Sequence, residues 1–231
     1  MKKIYLLILY ICLALLPANA QTWKAGTLLS EEELSASPAD KFFTAEDIPN
    51  DVFTRMKGKS FAANCTVARS SLCYLRMLHY NRQGKVQRGE MVCNKAIAQD
   101  LIDIYRELYK AKYIIERMVL VDEYDAVDEK TMTANNTSCF NFRFVTGTRR
   151  VSKHGQGMAV DINPLYNPCY NTRNGKVEPA AGKPYAKNRT DKKTNPMLID
   201  HKDLCYRLFI SHGFRLGGNL KNKKDYQHFE K

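Results

Sequence analysis

Two residue types that bind metal ions stand close together in the stretch SKHGQGMAVDINP, which runs from Ser152 to Pro164. His154 and Asp161 have six residues between them, and the glycines in that interval let the chain fold back. If MAVDI is a strand, side-chain alternation places Asp161 on the face opposite its apolar neighbours. A lone carboxylate beside a packed sheet is costly unless it is paired or bound to a metal. The pattern therefore predicts half of a metal site.

A third ligand is predicted near the other end of the sequence, in DYQHFE. His228 lies there three positions after Asp225, so a nitrogen ligand and a second carboxylate are close together. The other histidines are more typical of surface or helix-capping positions: His79, His201 and His212.

Two histidines and one carboxylate can hold Zn²⁺ with one position left for water, and the ion lowers the pKa of that water to about 7. We predict one zinc ion per chain on His154, Asp161 and His228, with Asp225 as the general base. Asp225 and His228 face opposite ways on an ideal strand, so the chain must bend or the strand must begin after Asp225. Glu230 is an alternative candidate for the base or for a ligand. Histidine and aspartate also occur at this spacing by chance, so the alternative to a metal site is that these residues have no common role.

The elements that must position these residues are visible as patterns. Leu72 to Tyr80 and Val86 to Val92 alternate in character around the turn residues NRQG, which predicts a β-hairpin. Apolar residues then recur at helical spacing, which predicts a helix over 95–112. The run YIIERMVLVDEY favours a strand that ends at Tyr124.

The second half of the chain is less regular. Residues 125–151 are polar and irregular, 166–195 are typical of a long surface loop, and a helix is predicted over 199–212 with Gly213 as its stop signal. YQHFE supplies a last strand. This order predicts a single α+β domain with a mainly antiparallel sheet flanked by helices.

The start of the chain is typical of a secretory signal peptide: a basic opening, the apolar run 4–16 and the small-x-small sequence Ala18-Asn19-Ala20. We predict a signal peptide at 1–20, a flexible or peripheral lead-in at 21–60, and one domain over 61–231. No second apolar span is present, so no transmembrane anchor is expected in the mature protein. The expected location is the periplasm or the exterior, and a monomer is expected.

Charge and cysteine content narrow the class of protein. The formal net charge is +12, which favours contact with anionic polymers such as peptidoglycan, outer-membrane lipid or nucleic acid, although a merely soluble surface is an equal explanation. No nucleic-acid-binding module is recognisable. Six cysteines follow the predicted signal peptide, which indicates one to three disulfides of unknown pairing. The sequence contains no CxxC pair, so a zinc cluster bound by thiolates is not expected.

Together, SKHGQGMAVDINPLYNP, GFRLGG and DYQHFE resemble the M15 family of zinc peptidases, which cut peptidoglycan peptides as D-alanyl-D-alanine carboxypeptidases or L-alanyl-D-glutamate endopeptidases. The likeness spans about 72–231 and implies a hedgehog/DD-peptidase-like fold. It implies zinc on His154, Asp161 and His228, with Asp225 as the base. Leucine stands at 216 and 220, where similar sequences often have tryptophan.

The resemblance also implies a substrate-binding arginine upstream of the metal motif, for which Arg143 in FNFR is our candidate. Arg149 and Arg150 are alternatives, and Ser138 and Asn141 are candidate substrate-binding residues. The predicted function is hydrolysis of peptidoglycan stem peptides. The alternatives are a non-catalytic, zinc-containing cell-wall binding module, which has no need of Asp225, and a magnesium-dependent nuclease, which needs more oxygen ligands.

Overall fold

The computed structural model of the protein describes residues 23–187, 189–190, 192–217 and 222–231. The predicted signal peptide and Leu220 lie outside the described residues. Among the described residues, no helix has the length and apolar character needed to cross a membrane.

The structure is of the α+β type. Its described α-helices are α1 (Glu31–Ala36), α2 (Asn50–Met56), α3 (Lys95–Lys110), α4 (Asp128–Thr133) and α5 (Leu204–Ser211). Its described strands are β1 (Thr44–Glu46), β2 (Leu72–Tyr80), β3 (Val86–Asn94), β4 (Ala159–Asp161), β5 (Cys169–Asn171), β6 (Val177–Glu178), β7 (Arg215–Leu216), β8 (Lys223–Asp225) and β9 (His228–Glu230).

The strands form three small antiparallel sheets in place of the one sheet that the sequence predicts. Their orders are β1-β2-β3, β4-β9-β7 and β6-β5-β8. The consecutive strands β8 and β9 connect two of these sheets, because β9 belongs to the second sheet and β8 belongs to the third. Antiparallel pairing is confirmed for every strand pair in these sheets.

The predicted hairpin and the helix after it are confirmed. β2 pairs with β3 from Leu72↔Asn94 to Tyr80↔Val86, and α3 begins directly after β3. The side chain of Asn94 caps α3 by accepting a hydrogen bond from Ala96 N at 3.0 Å, which satisfies one free N–H of the first turn. One face of α3 is buried against the hairpin, as its apolar spacing predicts.

The second sheet is joined to this core by aromatic residues. Phe229 of β9 stacks on Phe209 of α5 with ring centroids 4.4 Å apart, and Phe214 packs against the same ring. Val160 of β4 is fully buried in the same cluster. The strands that carry two of the predicted ligands are therefore fixed from behind by the main core.

The strand predicted over 113–124 is wrong. This segment makes only isolated bridges, Tyr80↔Ile114 and Arg117↔Asn136, and ends in a 3-10 helix. Asparagine side chains take the place of a strand partner: Asn163 Oδ1 accepts from Glu116 N, and Asn136 bonds to both backbone groups of Val119. Several of the apolar residues that make this segment resemble a strand in the sequence are buried in the hydrophobic core.

Two other expectations need correction. The late helix α5 begins at Leu204 instead of Ile199, because the side chain of Asp203 caps it by accepting from Cys205 N at 2.9 Å. The predicted loop over 166–195 contains β5, β6 and a 3-10 helix among its described residues. Helix α4, inside the segment predicted to be irregular, was not expected.

The lead-in is not peripheral. β1 pairs with β2, and the buried side chains Phe43, Ile48, Val52 and Met56 belong to the hydrophobic clusters. The exposed acidic residues of the lead-in make the segment resemble a peripheral one in the sequence, although these apolar residues are packed in the core.

The prediction of disulfides is not supported. All six cysteines of the described residues are free, and Cys169 near the metal motif is a buried thiol. Cys73 and Cys93 are cross-strand partners in the hairpin, with their sulfur atoms 3.7 Å apart.

Candidate metal centre

The turn before β4 presents His154. Its backbone is closed by hydrogen bonds from Gly157 N to His154 O (3.0 Å) and from Met158 N to Lys153 O (2.8 Å). Gly157 has φ +69°, and an added Cβ would come within 2.7 Å of Asn94 N in the hairpin. Glycine is therefore needed here both for the left-handed backbone and for the close approach to the hairpin.

Asp161 and His228 are brought together by strand register. Asp161 ends β4 and His228 begins β9, and the two residues are direct antiparallel partners. Directly opposed residues place their side chains next to each other on one face of the sheet. The prediction that Asp161 leaves a strand on the face away from the core is confirmed, since its neighbours Val160 and Ile162 are buried in the core.

The three predicted ligands converge. Asp161 Oδ1 lies 3.2 Å from His154 Nε2 and 3.2 Å from His228 Nδ1, and the two imidazole nitrogens are 3.0 Å apart. Ligand atoms about 2.0 to 2.1 Å from a tetrahedral zinc ion are separated by about 3.3 Å. The spacing and the donor types of this group therefore fit zinc.

In each imidazole, the ring nitrogen that points away from the three converging ligand atoms has a nearby oxygen acceptor. His154 Nδ1 lies 2.8 Å from the carbonyl oxygen of Cys139, which can only accept, so Nδ1 donates and Nε2 is the nitrogen that faces the site. His228 Nε2 lies 3.2 Å from Glu230 Oε2. Such partners fix the tautomer and the ring orientation of metal-binding histidines. Glu230 is thus a partner of the predicted ligand His228, which its Oε2 contacts.

Charge is concentrated at the site. Burial disfavours the charged form of Asp161, but His154 and His228 hold the pKa of this carboxyl well below its usual range. Burial also opposes the imidazolium form of His228, yet hydrogen bonds to Asp161 and Glu230 raise its pKa to about 10. A carboxylate with two nearby imidazoles is an arrangement that a divalent cation can enter by replacing a proton.

Asp225 lines the same cleft. The strand does break after it, as the sequence requires, because β8 ends at Asp225 and β9 begins at His228. Its Oδ2 lies 3.4 Å from Lys223 Nζ, whereas its buried Oδ1 has no hydrogen-bond partner among the described residues. A buried oxygen without a partner is costly unless water or a ligand reaches it. Gly217 leaves the space for this side chain, since a Cβ there would lie 2.9 Å from Asp225 Cβ.

The cleft has a volume of about 1040 Å³ and contains His154, Asp161, Asp225 and His228 in its lining. Of the three candidate arginines, Arg143 and Arg150 line it. Arg143 is held by Asp128, with Nε 2.9 Å from Asp128 Oδ2. Leu216 forms part of the cleft wall at a position where similar sequences often have tryptophan.

Ser138 and Asn141 are not among the described residues that line the cleft. Ser138 pairs with Asp161 through two backbone hydrogen bonds, and the Asn141 amide donates to Asp128 Oδ1 and to Ala126 O. Sequence reasoning did not find Asp128 or Lys223, which contact Arg143 and Asp225. Lys223 lies two residues before Asp225, but no spacing in the sequence indicates that Asp128 meets Arg143.

Comparison with protein families matches residues 146–231 to the family described as D-alanyl-D-alanine carboxypeptidase. No curated protein and no solved structure matches the chain. The match covers less than half of the chain but includes the turn, β4, β8 and β9. Residues 146–231, which contain all three predicted ligands and Asp225, are therefore similar to the M15 peptidase family.

Proposed function

We propose that the protein is a zinc-dependent peptidase that hydrolyses peptide bonds in the stem peptides of peptidoglycan. The observation that carries this proposal is the convergence of His154, Asp161 and His228 in one cleft with Asp225, whose buried Oδ1 is unpaired among the described residues. A structural zinc site needs four protein ligands, whereas a hydrolytic one has three and an open position.

His154 Nε2, Asp161 and His228 Nδ1 would hold one zinc ion. When bound, zinc supplies Lewis acidity and lowers the pKa of a coordinated water to about 7. Asp225 Oδ1 accepts the proton of the attacking water, since it is the oxygen of this carboxylate that has no hydrogen-bond partner among the described residues. Lys223 pairs with Oδ2, the other oxygen of the Asp225 carboxylate, so Oδ1 is not engaged by this ion pair.

Arg143 takes the role of carbonyl-binding residue in this proposal. It lines the cleft that also contains the predicted ligands, and a guanidinium can stabilise charge that develops on a carbonyl oxygen. Arg150 also lines the cleft and is the alternative. The contacts of Ser138 and Asn141 support roles in holding Asp161 and Asp128 more than direct contact with substrate.

The remaining expectations join the same proposal. We propose a hedgehog/DD-peptidase-like domain over 61–231, export to the periplasm or the exterior, and a monomer that acts at the cell wall. The formal net charge of +12 falls to +10 without residues 1–20, which contain two lysines and no acid, and this positive charge supports contact with an anionic wall. The packing of 43–56 into the core means that the lead-in has to accompany this domain for it to fold.

The test compares zinc-loaded wild-type protein with Asp225→Asn, His154→Ala and the control His201→Ala, whose histidine is exposed and outside the ligand group. Mass spectrometry of peptides released from purified peptidoglycan identifies the bond that is cut. We expect Asp225→Asn to keep about one zinc per chain but to lose cleavage, His154→Ala to lose both, and the control to keep both.

The same experiment separates the peptidase from a non-catalytic binding module. Wild-type protein that binds zinc and wall material but releases no peptide would support the module. Cleavage that persists in Asp225→Asn would remove that residue from its proposed role as the base.

A further inference from the structure

Arg143 is held at the cleft by one carboxylate. Its Nε lies 2.9 Å from Asp128 Oδ2 in an ion pair, and its Nη1 donates a hydrogen bond to the carbonyl oxygen of Asn141 at 3.3 Å. These are the contacts of the guanidinium with the described residues, and they leave the Nη2 amino group without a protein acceptor there. The side of the guanidinium that is left open is the side a substrate can use.

Asp128 is itself fixed from behind. Its Oδ1 accepts a hydrogen bond from Asn141 Nδ2 at 2.8 Å, and the same amide donates to Ala126 O at 3.0 Å. Asn141 is buried, and its backbone N donates to the carbonyl oxygen of His154 at 3.2 Å. A continuous set of contacts, made of hydrogen bonds and one ion pair, therefore runs from the turn that presents the predicted ligand His154 to the guanidinium at the cleft.

Stability does not account for this arrangement. The side chains of Arg143 and Asp128 are 36% and 39% exposed, and an exposed ion pair contributes only about 0.2–1 kcal/mol. The geometric effect is larger, because a donor that is displaced by about 1 Å can cost a reaction about a hundredfold in rate. The ion pair between Arg143 and Asp128 therefore matters more for the orientation of the guanidinium than for the stability of the fold.

We propose that Asp128 is a positioning residue for Arg143, and that Asn141 fixes Asp128 for this purpose. The inference rests on the proposed peptidase function, in which Arg143 contacts the scissile carbonyl. Asp128 accepts a hydrogen bond from Asn141 at Oδ1 and forms an ion pair with the Arg143 guanidinium at Oδ2. Asparagine at this position offers one oxygen and one NH₂ group, so it can satisfy either Asn141 or Arg143 but not both.

Asp128→Asn is thus the informative variant. Its matched control is Asp51→Asn, since Asp51 is also an exposed acid in the first turn of a short helix, α2, and lies outside the cleft lining. Both variants remove one negative charge near a helix N-terminus, so effects on the helix are the same in kind. Both should keep about one zinc per chain.

The first measurement needs no catalysis. In protein labelled with ¹⁵N-arginine, the Nε–H signal of Arg143 is assigned by its loss in Arg143→Lys. We expect Asp128→Asn to shift this signal, because the carboxylate 2.9 Å from Nε is lost, whereas Asp51→Asn leaves it unchanged. An unchanged Arg143 signal in Asp128→Asn overturns the inference.

The second measurement is peptide hydrolysis. We expect kcat to fall about 10- to 100-fold in Asp128→Asn with KM changed less than about threefold, because the contact that is lost matters most in the transition state. In an Arg143→Ala background, Asp128→Asn should have no further effect, since there is no guanidinium left to orient. Additive losses in the double variant, or an unaffected kcat in Asp128→Asn, overturn the positioning role.

The two arms also separate this inference from the proposed function. A wild-type protein that releases no peptide removes the peptidase proposal, and the arginine signal then decides alone whether Asp128 orients Arg143.

Discussion

His228 Nε2 lies 3.2 Å from a carboxylate oxygen of Glu230, two residues further along the same strand. The opposite nitrogen of the same ring faces Asp161. The imidazole is therefore held between a residue that shares the predicted zinc ion and a residue that orients the ring. Alternation along β9 places both side chains on one face, so this contact follows directly from strand geometry.

Glu230→Gln should weaken zinc binding about 10- to 100-fold, because the partner of a metal-binding histidine fixes its orientation and raises its basicity. The dissociation constant is measured by competition with a chelator of known affinity. Glu178→Gln is the control, since Glu178 lines the same cleft but pairs with Lys176. Equal zinc affinity in Glu230→Gln and wild type would refute the role of Glu230.

Zinc binding should release a proton and strengthen with rising pH. The pKa of His228 is raised to about 10 in the zinc-free site by Asp161 and Glu230, against the effect of burial. Below that pH the imidazole has to lose its proton before Nδ1 can bind the ion, so affinity should rise about tenfold per pH unit on approach to pH 10. Chelator competition at several pH values gives the slope, and a flat profile between pH 6.5 and 8.5 contradicts this prediction.

Gly157→Ala should destabilise the protein by about 3 kcal/mol. A left-handed alanine costs about 1–2 kcal/mol, and overpacking against Asn94 N adds about 1–3 kcal/mol. Gly175→Ala separates the two effects, because Gly175 also has a positive φ (+73°) but open space around the added Cβ. Urea unfolding of both variants measures the difference, and similar losses in the two would mean that the approach to the hairpin is unimportant.

Met56→Ala should cost about 2–5 kcal/mol, as expected for a fully buried side chain in a core. This tests whether the lead-in is an integral part of the folded unit. Leu28→Ala provides the comparison, since Leu28 is 52% exposed and its truncation should change the unfolding free energy little. A small effect of Met56→Ala would restore the view that this segment is peripheral.

The sequence alone determined the elements whose patterns are local. The hairpin, α3 and the strand in MAVDI all follow from periodicities within a few residues, and the break between Asp225 and His228 follows from the side-chain alternation of a strand. The types and spacing of His154, Asp161 and His228, together with the family resemblance, also indicated the group that the fold brings together.

Tertiary structure alone decided which distant residues meet. Opposition of Asp161 to His228 depends on a strand register between segments 67 residues apart, and the contact of Asp128 with Arg143 depends on a short helix that the sequence did not indicate. The segment over 113–124 resembles a strand by composition, yet asparagine side chains satisfy its backbone. Such contacts join residues without any periodic relation, so packing of the whole chain selects them and no local pattern records them.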